Sequence, residues 1–179
     1  LHFNPDVFGV YFDKLNKIID IYENYYYPKL ENAKIEISYS KFPEINNYYD
    51  VVLTSPPYGD SKTTVAYGQF SVLSNEWLGI KTARRVDSML MGGKTVYKKY
   101  SDGLIVDYIN QIETASVKRS LEVSSFYKDL HKSINNVAKS IKNNGYSIYV
   151  VGNRTVKNIV LPTDQFIAEK FESNGFKHL

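Results

Sequence analysis

The residues best suited to chemistry are Thr54-Ser55-Pro56-Pro57-Tyr58, which follow directly on a short apolar run, Asp50 to Thr54 (DVVLT). Neither proline has an N–H and both have fixed φ, so a bend here offers carbonyl oxygens and no backbone donor from these two residues. An acceptor-only ridge of this kind suits a ligand that brings its own N–H groups, such as an exocyclic amine. Ser55 adds a hydroxyl that donates or accepts, and Tyr58 adds a flat face on which a base extracted from a double helix stacks. The competing reading is an ordinary strand-ending turn. Four specified residues including two prolines arise by chance in roughly one chain in a thousand of this length. A polyproline ligand is a further alternative, but the end of a buried strand is a poor place for one.

Cations gather just downstream. From Ile80 to Tyr100 there are Lys81, Arg84, Arg85, Lys94, Lys98 and Lys99 against Asp87 alone, a net +5 that leaves −2 for the rest of a chain whose total is +3. Neutralising phosphates is the use such a cluster would have, a solvated loop the plainer alternative. Gly92-Gly93-Lys94 lacks the spacing of a phosphate loop and reads as a mobile turn. Tyr67, Phe70 and Trp77 line a base pocket or anchor this stretch to the core, with anchoring preferred. Asn153 and Arg154 follow the apolar run Tyr146 to Val151 and belong at the same sheet edge as Ser55, or else form a structural cap. The three histidines, His2, His131 and His178, are scattered without metal-ligand spacing, and no metal is expected.

The elements that must hold these residues follow from periodicity. Phe8, Phe12, Leu15, Ile18, Ile19 and Tyr22 predict a helix from Pro5 to Tyr26, closed by Pro28. Ala33 to Tyr39 alternates as a strand does, and Asp50 to Thr54 suits a strand buried on both faces. Residues 59–122 carry little sustained period beyond short helices near Ser74 to Ile80 and Leu104 to Ile112, and read as an insertion. A helix from Ser124 to Asn144, stopped by Asn144-Gly145, leads to a buried strand at Tyr146 to Val151. A helix from Pro162 to Ser173 and a strand cut short at Phe176 to Leu179 end the chain. Long helices between short apolar strands predict an α/β fold with a doubly wound, mostly parallel sheet. In such sheets ligands sit outside the carboxyl ends of the strands, where Ser55 lies.

Composition sets the bounds. The chain has 179 residues, 43% apolar and 23% charged, with no cysteine, which excludes a disulfide scaffold, a cysteine nucleophile and thiolate zinc. No apolar run approaches the ~20 residues that span a bilayer, and Leu1 to Pro5 has no signal-peptide pattern, so a cytoplasmic protein without a membrane partner is expected. A first residue that is Leu and not Met is expected of a piece of something longer.

At Ser55 to Tyr58, and across Asp50 to Gln69 (DVVLTSPPYGDSKTTVAYGQ), the sequence resembles the amino-methyltransferases of DNA, which use S-adenosylmethionine to methylate N4 of cytosine or N6 of adenine. Their signature is Asp, Asn or Ser, then Pro-Pro, then Tyr or Phe, at the end of the fourth sheet strand. The Thr-Ser-Pro-Pro-Tyr form looks most like the cytosine-N4 subgroup of restriction-modification systems. The resemblance implies a Rossmann-like fold and matches the order of elements from Pro5 to Leu179. It also implies that Ser55, Pro56, Pro57 and Tyr58 are catalytic. His2, Phe3 and Ser40 would then lie at the cofactor, and Arg84, Arg85, Lys94, Lys98, Lys99 and Arg154 on the DNA. The Gly-rich turn of the family's first strand has no counterpart here. The chain is therefore expected to be a partial catalytic domain with residues 59–122 as a DNA-facing insertion. Its expected partners are DNA, the missing N-terminal part and a cognate restriction endonuclease, and alone it is expected to be inactive. An adenine-N6 enzyme, a catalytically incomplete DNA-binding fragment and half of a split enzyme are the alternatives.

Overall fold

The structure, a computed structural model, describes residues 6–30, 33–34, 46–59 and 67–179. The chain divides into two compact units, Leu1–Ser40 and Lys41–Leu179. In the first, helix α1 (Val7–Ile21) is capped by Asp6, whose Oδ1 accepts from the Gly9 N–H at 2.9 Å. Pro28 does not close it. The chain widens into a π-helical turn at Tyr22–Tyr26 and resumes as α2 (Tyr27–Leu30), so that Pro28 follows directly on the wide turn. Tyr22 and Tyr26 stack there, ring centroids 5.4 Å apart. The expected start at Pro5 lies outside the described residues. So does most of the strand expected at Ala33 to Tyr39, of which Ala33 and Lys34 have no regular structure.

The second unit is a mixed α/β body. Strand β1 (Tyr49–Thr54) is followed by α3 (Tyr67–Trp77), a 3-10 turn at Ala83–Arg85, α4 (Val86–Met89), α5 (Ile105–Ala115) and the long α6 (Val117–Ser140). Strand β2 (Ile141–Tyr149), a hairpin of β3 (Arg154–Val156) and β4 (Ile159–Leu161), and α7 (Thr163–Glu172) complete it. β1 and β2 are parallel, with Val51 opposite Tyr146 and Thr54 opposite Tyr149. Among the described residues that pair and the antiparallel hairpin are the two sheets. The hairpin turns on Lys157 and Asn158, both at positive φ, as a type I′ turn requires. The core lies between α5, α6 and α7, where Ile105, Ile109, Leu130, Ile134 and Phe166 are fully buried.

Four expectations change here. α6 begins seven residues before Ser124 and ends four before Asn144. Its start is set by Ser116, whose Oγ accepts from the Arg119 N–H at 3.2 Å. Its end is set by the entry to β1, because the Asn47 and Tyr48 N–H groups donate to the last carbonyls, Lys139 and Ser140, both at 2.9 Å. Asn144-Gly145 is thus no helix stop. It forms a bulge in β2, where the register jumps between Tyr49 and Val51; Asn144 has φ 65°, and a Cβ on Gly145 would meet the Asp50 carbonyl oxygen at 2.7 Å. The two strands are not buried on both faces, since Val51 and Leu53 are 53% and 69% exposed and Tyr146, Ile148 and Val150 are exposed as well. Phe176 to Leu179 form no strand; Phe176 instead packs its ring on Phe171 at 5.1 Å.

A polar network ties α6 and α7 to the segment before α5. The Lys170 ammonium, its side chain 3% exposed, donates to Asp102 at 2.8 Å and to Glu169 at 3.0 Å. Glu169 also accepts from the Leu104 N–H at 2.9 Å. The Tyr100 hydroxyl bonds His131 Nδ1 at 2.8 Å and reaches Asp102 at 3.3 Å. His131 is therefore part of a hydrogen-bonded network. Burial, then the Lys170 charge, pulls its pKa below the ordinary 6.5, while the Lys170 hydrogen bond holds Asp102 below its ordinary 3.8. In both cases the unfolded chain binds the proton more readily, so stability falls on acidification, first as pH drops below 6.5 and again in the carboxylate range. Urea midpoints between pH 7.5 and 5 should decline, and H131Q should remove the step below pH 6.5; a midpoint that holds or rises in the wild type contradicts this.

Candidate functional site

Ser55 to Tyr58 leave the sheet at the carboxyl end of β1. The ladder runs to the end of the strand, since the Val150 N–H donates to the Thr54 carbonyl at 3.0 Å, so the chain is held up to the residue before Ser55. Ser55 is exposed, Pro56 and Pro57 are half-buried, and Gly59 is buried. The Ser55 and Tyr58 hydroxyls lie 3.4 Å apart on the same side of the corner. Tyr58, 43% exposed, keeps a ring surface available to a planar ligand.

Tyr58 also borders a shallow dimple with room for about one water molecule, lined by Val123, Phe126 and Tyr127 of α6 and by Arg154 and Leu161 of the hairpin. The wall is firm. Tyr127 is buried, its hydroxyl bonded to Thr163 Oγ1 at 2.9 Å, and burial raises its pKa to about 12, so it is neutral at any working pH. Its ring meets Phe126 at 5.2 Å and Phe166 at 4.8 Å. Nothing local in the sequence marks Val123, Phe126 and Tyr127 as dimple residues, because they share the helical spacing of the α6 core.

The other candidate residues scatter more widely. Arg154 opens β3 and lines the dimple with Tyr58. Asn153 is a structural cap, its Oδ1 accepting from the Asp164 N–H at 3.2 Å in the first turn of α7. Arg84 pairs with Glu76 at 2.8 Å, and Lys99 donates to Glu113 at 2.5 Å and Asn110 at 2.8 Å, so two of the clustered cations are already engaged within the chain. Arg85, Lys94 and Lys98 are exposed. His2, Phe3 and Ser40 lie outside the described residues.

Two expectations about the stretch after the corner are corrected. Gly92-Gly93 is not a free turn: both residues are buried, the Gly92 N–H donates to Asp129 at 3.0 Å, and Ser125 Oγ donates to the Lys94 carbonyl. Gly92 has φ 68°, a left-handed conformation that favours glycine. Phe70 and Trp77 do not anchor α3 to the core, being 82% and 93% exposed; the side chain of Tyr67 is not among those described. Among the described residues no helix is long and apolar enough to cross a membrane.

No protein-family model matches the chain, and no solved structure matches it. Its sequence is 44% identical over 155 residues to the Type II methyltransferase M.MvaI of Kocuria varians, a match covering 78% of this chain and 34% of that protein. The chain spans about a third of that protein's length, and over most of its own it is a relative of a Type II methyltransferase.

Proposed function

We propose that the chain carries the acceptor half of a site-specific DNA methyltransferase of a restriction-modification system, moving a methyl group from S-adenosylmethionine to N4 of a flipped cytosine. The observation that carries this reading is Ser-Pro-Pro-Tyr at the carboxyl end of a parallel strand, its two hydroxyls 3.4 Å apart beside an aromatic dimple. Similarity to a Type II methyltransferase supports it. In this reading β1 and β2 are neighbours in a larger, doubly wound Rossmann-like sheet, residues 59–122 face the DNA, and Arg85, Lys94 and Lys98 neutralise phosphates beside Arg84 and Lys99.

The amine is a poor nucleophile because its lone pair is delocalised into the ring. The corner's task is to localise that pair and aim it. The Pro56 carbonyl accepts a hydrogen bond from one amine N–H and Ser55 Oγ from the other, drawing the nitrogen towards tetrahedral geometry, while Pro57 holds the bend and Tyr58 stacks on the ring; the nitrogen sheds its surplus proton during or after methyl transfer. S-adenosylmethionine supplies the electrophilic sulfonium methyl. Among the described residues no glycine-rich turn follows a strand, so this part of the chain offers no cradle for that cofactor; His2, Phe3 and Ser40 are the assigned contacts from the family pattern. Mass spectrometry of nucleosides from DNA treated with the full-length protein should show N4-methylcytosine. N6-methyladenine in its place would move the assignment to the adenine enzymes, and unmethylated DNA would reduce the chain to a binding fragment or half of a split enzyme.

A further inference from the structure

Residues 92–100 form neither helix nor strand, yet this strap is fixed at both ends. The Gly92 N–H donates to Asp129 at 3.0 Å and the Lys94 carbonyl accepts from Ser125 Oγ, which ties one end to α6. At the other end Lys99 donates to Asn110 at 2.8 Å and to Glu113 on α5, and the Tyr100 hydroxyl bonds His131 Nδ1 at 2.8 Å. Thr95 and Val96, between these anchors, are half-buried. Tyr97 is fully exposed, with no hydrogen bond or ring contact to any of the described residues. Lys94 and Lys98 are exposed too and have no ion pair among the described residues, and no acid lies between Asp87 and Asp102. A lone exposed ring needs no partner in itself. Here the backbone beneath it is already ordered, so seating the ring on a partner would lose little further entropy, and two free cations flank it.

We infer that Tyr97 is a wedge for the DNA duplex, its ring stacking in the gap that the flipped base leaves while Lys94 and Lys98 hold the phosphates on either side. The inference rests on the reading that Ser55 to Tyr58 receive a base extracted from the helix. One helix supports both places. Val123, Phe126 and Tyr127 border the dimple beside Tyr58, and Ser125 and Asp129 anchor the strap, all between Val123 and Asp129, which is about 9 Å of helix axis. Extracting a base leaves its neighbours unstacked on one face, and a flat ring inserted there recovers part of that loss. Charge selects the partner: two ammonium groups without a nearby acid complement a phosphate backbone, and every base has a face on which a phenol ring stacks.

The test uses the full-length protein on two duplexes, one with the target base paired and one with it mismatched, so that it leaves the stack at lower cost. Y97A should lower kcat/KM on the paired duplex by about five- to a hundredfold, and on the mismatched duplex by several-fold less, because the wedge has less to offset there. Y97F keeps the ring and should match wild type. Thermal melting should move with neither variant, since the ring is fully exposed. K98A should lower the salt slope of binding by about one and leave the paired-to-mismatched ratio unmoved. Equal losses for Y97A on the two duplexes would make Tyr97 a general contact, and no loss on either would leave the ring to a protein surface; each overturns the inference while the acceptor assignment stands. A wild type that methylates neither duplex removes the acceptor assignment and this inference with it.

Discussion

Tyr58→Ala in the full-length protein should lower kcat/KM for methyl transfer by about five- to a hundredfold, because stacking on one aromatic ring contributes ~1–3 kcal/mol per base. Its exposure keeps this result clean: a residue 43% exposed at the end of a strand contributes little to the core, so thermal melting should move by no more than an ordinary surface substitution. Tyr58→Phe retains the ring and should retain most of the rate. Ser55→Ala removes an acceptor for the amine and should slow transfer on the order of tenfold, as loss of one hydrogen bond formed in the transition state does. Since the two hydroxyls are 3.4 Å apart, the double variant should lose less than the product of the single losses. Unchanged kcat/KM for both single variants would remove the corner from the chemistry.

How far the sequence led depends on whether a local signal had one physical meaning. Pro56-Pro57 after an apolar run has few uses, and the structure sets it one residue beyond β1, a strand one residue longer than the run DVVLT suggests. Thr163 to Glu172 is likewise a helix within a residue of its expected ends. Asn144-Gly145 is ambiguous, because left-handed backbone serves a helix stop and a strand bulge alike. The choice was made by a long-range event, the donation from Asn47 and Tyr48 that ends α6 at Ser140. The β3–β4 hairpin escaped notice because its strands have three residues each and its Lys157-Asn158 turn contains no glycine. Burial on both faces is what the apolar run Val51-Val52-Leu53 between polar residues and Pro56-Pro57 suggests, but such a run has the same composition whether or not anything covers it. Arg154 was legible as a residue at the Ser55 edge; its aromatic surroundings were not, because Phe126 and Tyr127 come from a helix whose spacing reports only that it is amphipathic.

Phe166→Ala should cost about 3–5 kcal/mol of the second unit's stability, a large share of the ~5–15 kcal/mol typical of a domain. Phe166 is fully buried on α7, and its ring meets Tyr127 at 4.8 Å, Tyr100 at 5.9 Å and His131 at 6.5 Å. The Lys170 ammonium sits 5.4 Å from its centroid, so truncation also removes a cation–π contact from a lysine that has almost no water. The ring thus joins the polar network of Tyr100, His131 and Lys170 to the aromatic wall of the Tyr58 dimple, and a cavity there would loosen both. Urea unfolding should show the loss directly, and a change below about 1 kcal/mol would mean that α7 does not close this core. Phe166→Leu keeps most of the apolar volume and should cost under ~1.5 kcal/mol.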